Sequence, residues 1–402
     1  HNILGRYPEA MDAHEKHLAI ARDIQDRQGE GQALGNIGEV LYNQGRYLEA
    51  LPLHQQHLEI TREVKDRLGE SQALMNLGRI YLETGEPDRA LVVHQESLEI
   101  AITIRDRLGE GQILSYMGDV HDYEGATQIA LNYYSQSVEI AAAIGDKFGE
   151  ADALKKIANI KQRQGKYPDA LAIYEKTQKI AVDIQDKKGE GDSLTGKGDT
   201  YASQYQYDEA EKNYVLALRL LEELGDKAGE GNMRLTIGQL YESLGDPFSA
   251  LDYYQQALDI HKAIENRSGE ALSLIQIGDT YLDRSLYSEA LAYYEEALKI
   301  SREVGDRTGE NISLNNIGVV YDNLGDYGGE SLGYYEEALE ISREVGDRAG
   351  EGITLSNIGR VYDVQGNYGK ALDYYEQALS IIREVGDRVK EGIILPFGLF
   401  VM

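Results

Sequence analysis

The histidines are the nearest approach to a metal site in this chain of 402 residues. His14 and His17 lie three residues apart, as do His54 and His57, and this spacing could bring two imidazoles to one metal ion. The corresponding positions farther along the chain hold Tyr and Ala, and no carboxylate or Cys completes a ligand set at matching spacing. We interpret the histidines as residues of the core or its boundary, and we expect no metal and no cofactor.

Residues for covalent catalysis are equally scarce. The chain has no cysteine, which excludes disulfides, thiolate zinc sites and cysteine nucleophiles. The string Gly191-Asp192-Ser193-Leu194 copies a lipase signature, and residues 191–197 nearly copy a phosphate-binding loop, but that loop needs a preceding strand, which the sequence does not predict. No Ser-His-Asp or paired-carboxylate arrangement stands out from the repeating pattern. The sequence therefore predicts a protein that is not an enzyme.

The net charge of the chain limits the classes of partner that it can bind. The chain carries 40 Lys and Arg against 69 Asp and Glu, a formal charge of −29. Such a chain repels phosphate backbones, so we expect no nucleic acid, and a basic or neutral peptide is the easier partner. No run of 18 apolar residues is present, so we expect no membrane span. The sequence starts at His1 without a signal segment, which we interpret as a fragment or a processed chain in the cytoplasm.

A repeat organises these residues. Asp26-Arg27 is followed by Gly29-Glu30, and the same marker returns 40 residues later from Asp66. A single extra residue near position 329 shifts the last two copies. The ten markers begin at Asp26, Asp66, Asp106, Asp146, Asp186, Asp226, Asn266, Asp306, Asp347 and Asp387.

Between one marker and the next, the apolar and small residues have the spacing expected of two successive helices. Leu314, Ile317, Gly318 and Tyr321 lie at i, i+3, i+4 and i+7, one face of a first helix, and Gly325 suits its end. A second helix follows and ends near Gly346, after which an Asp can cap the next first helix. The pattern therefore predicts helix A, a short turn, helix B and another short turn.

Small residues recur where the two helices of a unit must approach closely. A Gly inside a helix costs about 1 kcal/mol relative to Ala, so its recurrence in register implies a gain in packing. A single helix pair cannot bury its apolar face, whereas stacked pairs can. The sequence predicts an all-α fold, a right-handed α-solenoid superhelix of stacked antiparallel helix pairs. The small positions are Gly38, Gly78, Gly118, Ala158, Gly198, Gly238, Gly278, Gly318 and Gly359 in helix A, and Ala50, Ala90, Ala130, Ala170, Ala210, Ala250, Ala290 and Ala371 in helix B.

The pattern Leu314, Ile317, Gly318, Tyr321, with Ala290 in helix B, resembles the tetratricopeptide repeat (TPR). The 40-residue period is longer than the usual length of about 34, and it resembles the repeats of Pins/LGN-like adaptors and, more distantly, kinesin light chain. Similar arrays occur in bacterial multidomain signalling proteins. The resemblance covers about residues 5–395.

On this reading the chain is one continuous solenoid domain. Residues 1–27 form the orphan second helix of a truncated repeat, and residues 28–388 form nine TPR-like helix pairs. Residues 389–402 form a partial first helix and an apolar tail, in which Pro396 disfavours further helix.

The resemblance implies a peptide-binding groove lined by the A helices. It places a backbone-binding Asn before the Ile/Leu-Gly pair, where an amide can both donate to and accept from a peptide bond. This chain has Asn36, Asn76, Asn316 and Asn357 there. A solvated Asn left by repeat duplication is the alternative.

Positive charge gathers in the middle of the array. Lys155 and Asn159 share a helix face and resemble the start of a clamp for a C-terminal carboxylate, but its remaining residues are missing. We expect no complete clamp. Lys155 and Lys156 could instead meet an acidic side chain of a partner, or they are simply solvated lysines.

The sequence thus predicts a protein–protein interaction scaffold that binds an extended peptide or partner segment. The alternative is a structural spacer or self-assembly module attached to an effector domain, with end-to-end association through the apolar tail.

Overall fold

The computed structural model describes residues 7–326 and 329–385, with side chains through residue 383. Within these ranges the chain forms nineteen helices and no strand. It divides into two compact units, His1–Gly269 and Glu270–Met402. The predicted partial helix and tail at 389–402, and the marker at Asp387, lie outside the described residues.

The first unit begins with a single helix and continues with six helix pairs. The helices are α1 (Tyr7–Asp23), α2 (Arg27–Asn43), α3 (Tyr47–Glu63), α4 (Arg67–Glu83), α5 (Pro87–Ile104), α6 (Arg107–Tyr123), α7 (Thr127–Ile144), α8 (Lys147–Arg163), α9 (Tyr167–Asp183), α10 (Lys187–Ala202), α11 (Tyr207–Leu224), α12 (Lys227–Ser243) and α13 (Pro247–Ala263). The boundary between the units falls in α14 (Arg267–Asp283). We call the even-numbered helices A helices and their odd-numbered successors B helices.

The second unit contains the rest of α14 and five further helices. They are α15 (Tyr287–Val304), α16 (Arg307–Asn323), α17 (Glu330–Val345), α18 (Arg348–Val364) and α19 (Tyr368–Val385). In both units consecutive helices pack against each other, which confirms the predicted all-α solenoid of stacked pairs.

In most repeats the marker Asp caps an A helix, as predicted, whereas Asp186 makes no such side-chain hydrogen bond. The carboxylate of Asp26 accepts a hydrogen bond from the Gly29 N–H at 2.9 Å, and Asp347 accepts one from Gly350 at 2.8 Å. Gly29 lies close to this carboxylate, and an added Cβ would be 2.4 Å from it. Gly is not essential to the cap, since Asp246 accepts from the Ser249 N–H in the same way. The capping role of the marker is therefore local and repeats from unit to unit.

The Glu of the marker joins neighbouring helices by ion pairs. Glu310 accepts from Arg302 of the preceding B helix at 2.8 Å and from Arg307 at 2.6 Å. Arg307 also pairs with Glu344 of the next B helix. Because the arginines are only partly buried, water screens these pairs and each contributes about 0–1 kcal/mol, so these contacts adjust the junction rather than hold the fold.

The small residues of the A helices lie against aromatic rings of the B helices. A Cβ on Gly118 would lie 2.5 Å from the Tyr134 ring, and one on Gly318 would lie 2.7 Å from the Tyr335 ring. Ala130 and Ala290 of the B helices are fully buried. The predicted gain in packing is therefore a ring seated directly on the backbone of the paired helix.

The histidines of α3 and α5 are buried in the core. His54 and His94 are buried, with exposures of 0% and 1%, and His57 is 7% exposed. His14 is half-buried and His17 is exposed. Within the described part of the chain, no three His, Cys, Asp or Glu side chains are grouped as a metal would require.

The end of the first unit packs against its start. Tyr7 and Ala10 of α1 form a buried apolar cluster with Val40 and Ile264. The Ser268 hydroxyl donates a hydrogen bond to the Gly45 carbonyl at 3.3 Å. Six helix pairs therefore bring the end of this unit into contact with its start. Of the helices described, none has the length and apolar character to cross a bilayer.

Candidate functional site

One surface of the A helices carries the predicted binding residues. We call it the A-helix face and define it by Gln32, Asn36 and Glu39 of α2 and the corresponding residues of later A helices. These positions are spaced at i, i+4 and i+7, so they share one side of a helix. The apolar residues on the other sides of α2, such as Leu34 and Val40, are buried.

Two of the predicted asparagines line one cavity of the A-helix face. The cavity lies between α2 and α4, measures about 410 Å³, and includes Gln32, Asn36, Gln72 and Asn76 in its lining. Asn36 is exposed and makes no hydrogen bond within the described chain. The Asn76 oxygen accepts a 3.3 Å hydrogen bond from Arg79. The cavity therefore offers amide donors and acceptors, with Asn36 the most available.

Arg79 is a charged residue that lines the same cavity. Its guanidinium pairs with Glu39 at 3.1 Å and lies over the Tyr42 ring at 4.2 Å. The Tyr116 ring is 5.6 Å away on the next A helix. A guanidinium held by a carboxylate and rings in this way is fixed in position and already neutralised.

The asparagines of the second unit are engaged by neighbouring A helices. Asn316 donates to the Asp279 carboxylate at 2.9 Å, and Asn357 donates to the Asn315 oxygen at 3.0 Å. Both side chains are half-buried. A guest chain at these positions would have to share or replace these hydrogen bonds.

Lys155 and Lys156 both have carboxylate partners within the chain. Lys155 lies 2.6 Å from Asp192 and Lys156 lies 2.6 Å from Asp119, each on a neighbouring A helix. The pKa of Lys155 is raised, because Asp192 and Asp152 outweigh the opposing effect of burial. An acidic guest group would therefore have to compete with these partners.

A second cavity of about 410 Å³ lies among α8, α10 and α12. Lys155 and Asn159 line it together, while Lys156 is not part of its lining. Asn159 is exposed and its oxygen accepts a hydrogen bond from the Tyr174 hydroxyl. Asp199 and Thr236 also line this cavity.

A row of carboxylates on the A-helix face was not predicted from the sequence. Asp119 and Asp199 occupy the position of Glu39, and each accepts a hydrogen bond from the hydroxyl of a Tyr fifteen residues later. Burial raises the pKa of both carboxyls. The recurring Asp–Tyr spacing of fifteen residues is the signal that could have revealed them.

Comparison with known proteins agrees with this architecture. The chain belongs to the tetratricopeptide repeat family, whose sequence model matches it over most of its length. The matched segments are residues 29–103, 73–143, 109–181, 149–223, 189–263, 269–329 and 312–384. No curated protein matches the chain in sequence.

Solved structures share the fold at low identity. A Rap protein complexed with Competence and Sporulation Factor aligns with a TM-score of 0.56 and 15% identity, over 90% of this chain and 99% of the Rap chain. A STAND signal transduction ATPase with a tetratricopeptide repeat sensor, from Pyrococcus horikoshii, aligns with a TM-score of 0.53 and 16% identity. That match covers 86% of this chain and 54% of the ATPase, so the chain spans about half its length. At such identities the likeness concerns the fold alone.

Proposed function

We propose that this chain is a protein-interaction scaffold whose A-helix face binds an extended segment of a partner protein. The observation that carries the proposal is the cavity between α2 and α4, lined by Gln32, Asn36, Gln72 and Asn76. Primary amides both donate and accept, so a row of them suits a peptide backbone irrespective of its sequence. The tetratricopeptide repeat is typically a non-catalytic interaction module, which supports this role.

Other predicted residues have defined roles in this proposal. In the second unit, Asn316 and Asn357 bind a partner backbone by exchanging their present hydrogen bonds for new ones. In the first unit, Lys155, Lys156 and Asn159 contact side chains of the segment bound there. The Rap structure described above, of the same fold, was solved with a factor bound, which supports a peptide or protein as the partner class. A cytoplasmic location remains a prediction.

The alternative of a spacer or self-assembly module depends on residues 396–402, which lie outside the described residues. Light scattering of the chain with and without those residues tests it, because loss of a larger species on their removal is what self-assembly requires. An unchanged monomer contradicts it.

Site-specific photo-crosslinking tests the scaffold proposal. A benzoylphenylalanine at position 36 reports on the A-helix face, and one at the exposed Gln56 of α3 reports on a B helix. After capture of a partner by the intact chain, we expect crosslinks from position 36 and few from position 56. Equal labelling from both positions, or more from 56, contradicts binding on the A-helix face.

Alanine substitution gives the second part of the test. Asn36→Ala should weaken partner binding without lowering the melting temperature, because the amide is exposed and makes no internal hydrogen bond. Gln56→Ala is the matched control, an exposed amide on the neighbouring B helix, and should leave binding unchanged. If Asn36→Ala and Gln56→Ala behave alike, Asn36 is not a binding residue.

A further inference from the structure

Three carboxylates of the A-helix face occupy the same position in their repeats, and their surroundings differ. Each accepts a hydrogen bond from the Tyr hydroxyl of the following B helix: Asp119 at 2.8 Å, Asp199 at 2.7 Å and Asp279 at 2.6 Å. In every case the Tyr donates to one carboxylate oxygen, Oδ1. What distinguishes them is the residue that the next A helix brings to the carboxylate.

The next A helix supplies a cation or an amide in two of the three repeats. In the first unit, Lys156 places its ammonium 2.6 Å from Asp119 Oδ2 and 2.9 Å from the Ser115 hydroxyl. In the second unit, Asn316 donates to Asp279 at 2.9 Å. Lys156 and Asn316 occupy the same repeat position, 37 residues after the Asp that each contacts.

Asp199 has no such neighbour. The residue 37 positions after it is Thr236, whose hydroxyl donates to the Asn232 carbonyl of its own helix at 3.3 Å. In the described chain, the Tyr214 hydroxyl is the one group that donates to the Asp199 carboxylate. The space that a lysine fills beside Asp119 is therefore open beside Asp199, and it forms part of the 410 Å³ cavity lined by Asp199, Met233 and Thr236.

The two lysines that line this cavity are held elsewhere. Lys155 pairs with Asp192 at 2.6 Å and with Asp152 at 3.6 Å. Lys188 lies 3.6 Å from Asp226. Neither therefore forms an ion pair with Asp199, and burial of this carboxyl raises its pKa. A buried carboxylate without a cation is costly, and the arrival of a cation would relieve that cost.

We propose that the cavity beside Asp199 binds a lysine side chain of the guest segment, with the ammonium on Asp199 Oδ2. The proposal rests on the proposed function, since it names a side chain that the A-helix face selects. Lys156 beside Asp119 shows the contact that the guest would reproduce. The net charge of −29 also favours a basic guest.

Lysine fits this cavity better than arginine. A guanidinium binds a carboxylate best in a bidentate manner, which uses both oxygens. Tyr214 already donates to Oδ1 of Asp199, so one oxygen remains for the guest. A point-like ammonium requires only that one acceptor.

A double-mutant cycle, followed by melting temperature, tests the cavity in the absence of a guest segment. Thr236→Lys recreates the residue that Asp119 meets, and Thr236→Met supplies similar length without charge. We expect the lysine variant to melt about 2–4 °C above the methionine variant, and this difference should disappear when Asp199→Asn is added. A difference that persists without the Asp199 charge, or that is absent from the start, overturns the proposal.

A fragment titration tests binding directly. The probe is Nα-acetyl-lysine methylamide, its matched control is the norleucine analogue, and the reporter is the ¹³C methyl signal of Met233 in the full chain. We expect saturable shifts with the lysine probe and none with norleucine. Asp199→Asn should weaken the binding about tenfold or more, which is typical for the loss of a charged partner, and Thr236→Lys should abolish it.

The outcomes separate this proposal from the proposed function. Equal shifts from lysine and norleucine, or unchanged binding in Asp199→Asn, overturn the lysine site. If a captured partner still crosslinks at position 36 in that variant, the scaffold function stands and only the lysine site fails. If position 36 gives no crosslinks while the probe binds Asp199, the failure lies with the scaffold function.

Discussion

The first two helix pairs and the three that follow fill one packing position differently. His54 and His94 occupy it in α3 and α5, where each ring lies against a Gly of the paired A helix, Gly38 or Gly78. In α7, α9 and α11 the position holds a tyrosine. These rings are Tyr134, Tyr174 and Tyr214, and all are buried.

The difference lies in what each ring can reach. Tyr134 extends far enough to donate to Asp119 on the A-helix face, and Tyr214 reaches Asp199 in the same way. An imidazole is shorter, and Nδ1 of His94 is buried with no hydrogen-bond partner among the described residues. The tyrosines thus link the core to the A-helix face, while the histidines fill space and add a group that titrates.

The largest effect that this comparison predicts is a dependence of the first pairs on pH. Burial lowers the pKa of His54 and of His94 from 6.5 to about 3, and the nearby charge of Arg79 acts in the same direction. Between pH 6.5 and 3 the unfolded chain binds a proton at each histidine that the folded chain excludes. Stability is therefore fully present above pH 6.5 and falls with decreasing pH, by about 1.4 kcal/mol per histidine at pH 5.5.

Hydrogen exchange measures this effect helix by helix. At pH 5.5, compared with pH 7.5, the amides of α2–α5 should lose about 3 kcal/mol of protection from the two histidines together, after correction for intrinsic exchange. The double variant His54→Tyr, His94→Tyr should lose much less. An identical pH response in the variant would show that other groups, such as His57 and His261 with their lowered pKa values, cause the change.

A smaller effect concerns the glycines against which these rings pack. A Cβ on Gly118 would lie 2.5 Å from the Tyr134 ring, which its hydrogen bond to Asp119 holds in place. Overpacking costs about 1–3 kcal/mol, so Gly118→Ala should lower the free energy of unfolding by about 2 kcal/mol. Gly78→Ala should cost about as much, because its Cβ would lie 2.3 Å from the ring of His94, which is also buried.

Chemical denaturation distinguishes these cases. Gly333→Ala is the control, since Gly333 is an exposed helical position with nothing within 4 Å of an added Cβ. It should stabilise the chain by up to about 1 kcal/mol through helix propensity. If Gly118→Ala also stabilises, the close packing of Tyr134 is not what keeps a glycine there.

Ala158 shows how the chain accommodates the larger residue. At this position of the repeat Ala replaces Gly, and the Tyr174 ring packs both with Ala158 and against Gly196 of the next A helix, where an added Cβ would be 2.2 Å away. Its hydroxyl donates to Asn159 rather than to an Asp. The hydrogen-bond partner differs because this repeat has Asn159 at the position that Asp119 and Asp199 occupy in the neighbouring repeats.

The sequence was sufficient for features that depend on neighbouring residues. Asp347 as a cap, Gly325 at a helix end and the small residues under aromatic rings all follow from local spacing, and the structure confirms them. The carboxylate partners of Lys155 and Lys156 could not be predicted from local spacing. Each lies 37 residues away on another A helix, so the contact depends on how adjacent repeats are aligned, which no local pattern specifies.

The contact between α1 and the end of the first unit was equally beyond the sequence. Tyr7 meets Ile264 because small rotations between repeats accumulate over six helix pairs. A period identifies the repeating unit but does not give this rotation. The proposed binding residues could also be predicted only in part. Their types follow from the sequence, whereas their accessibility depends on contacts between repeats.

The smallest predicted effect concerns the tyrosine hydroxyl itself. Tyr214→Phe keeps the ring and removes the hydrogen bond to Asp199, which leaves that carboxylate less satisfied. We expect a loss of about 1 kcal/mol of unfolding free energy in urea, the usual scale for one such bond. Tyr253→Phe is the control, because that ring stacks on Tyr241 without a hydrogen bond from its own hydroxyl in the described chain, and it should be nearly neutral. Equal effects of the two substitutions would mean that the Tyr214 hydroxyl contributes no more than a ring edge, and the contrast with the histidine pairs would then reduce to ring size.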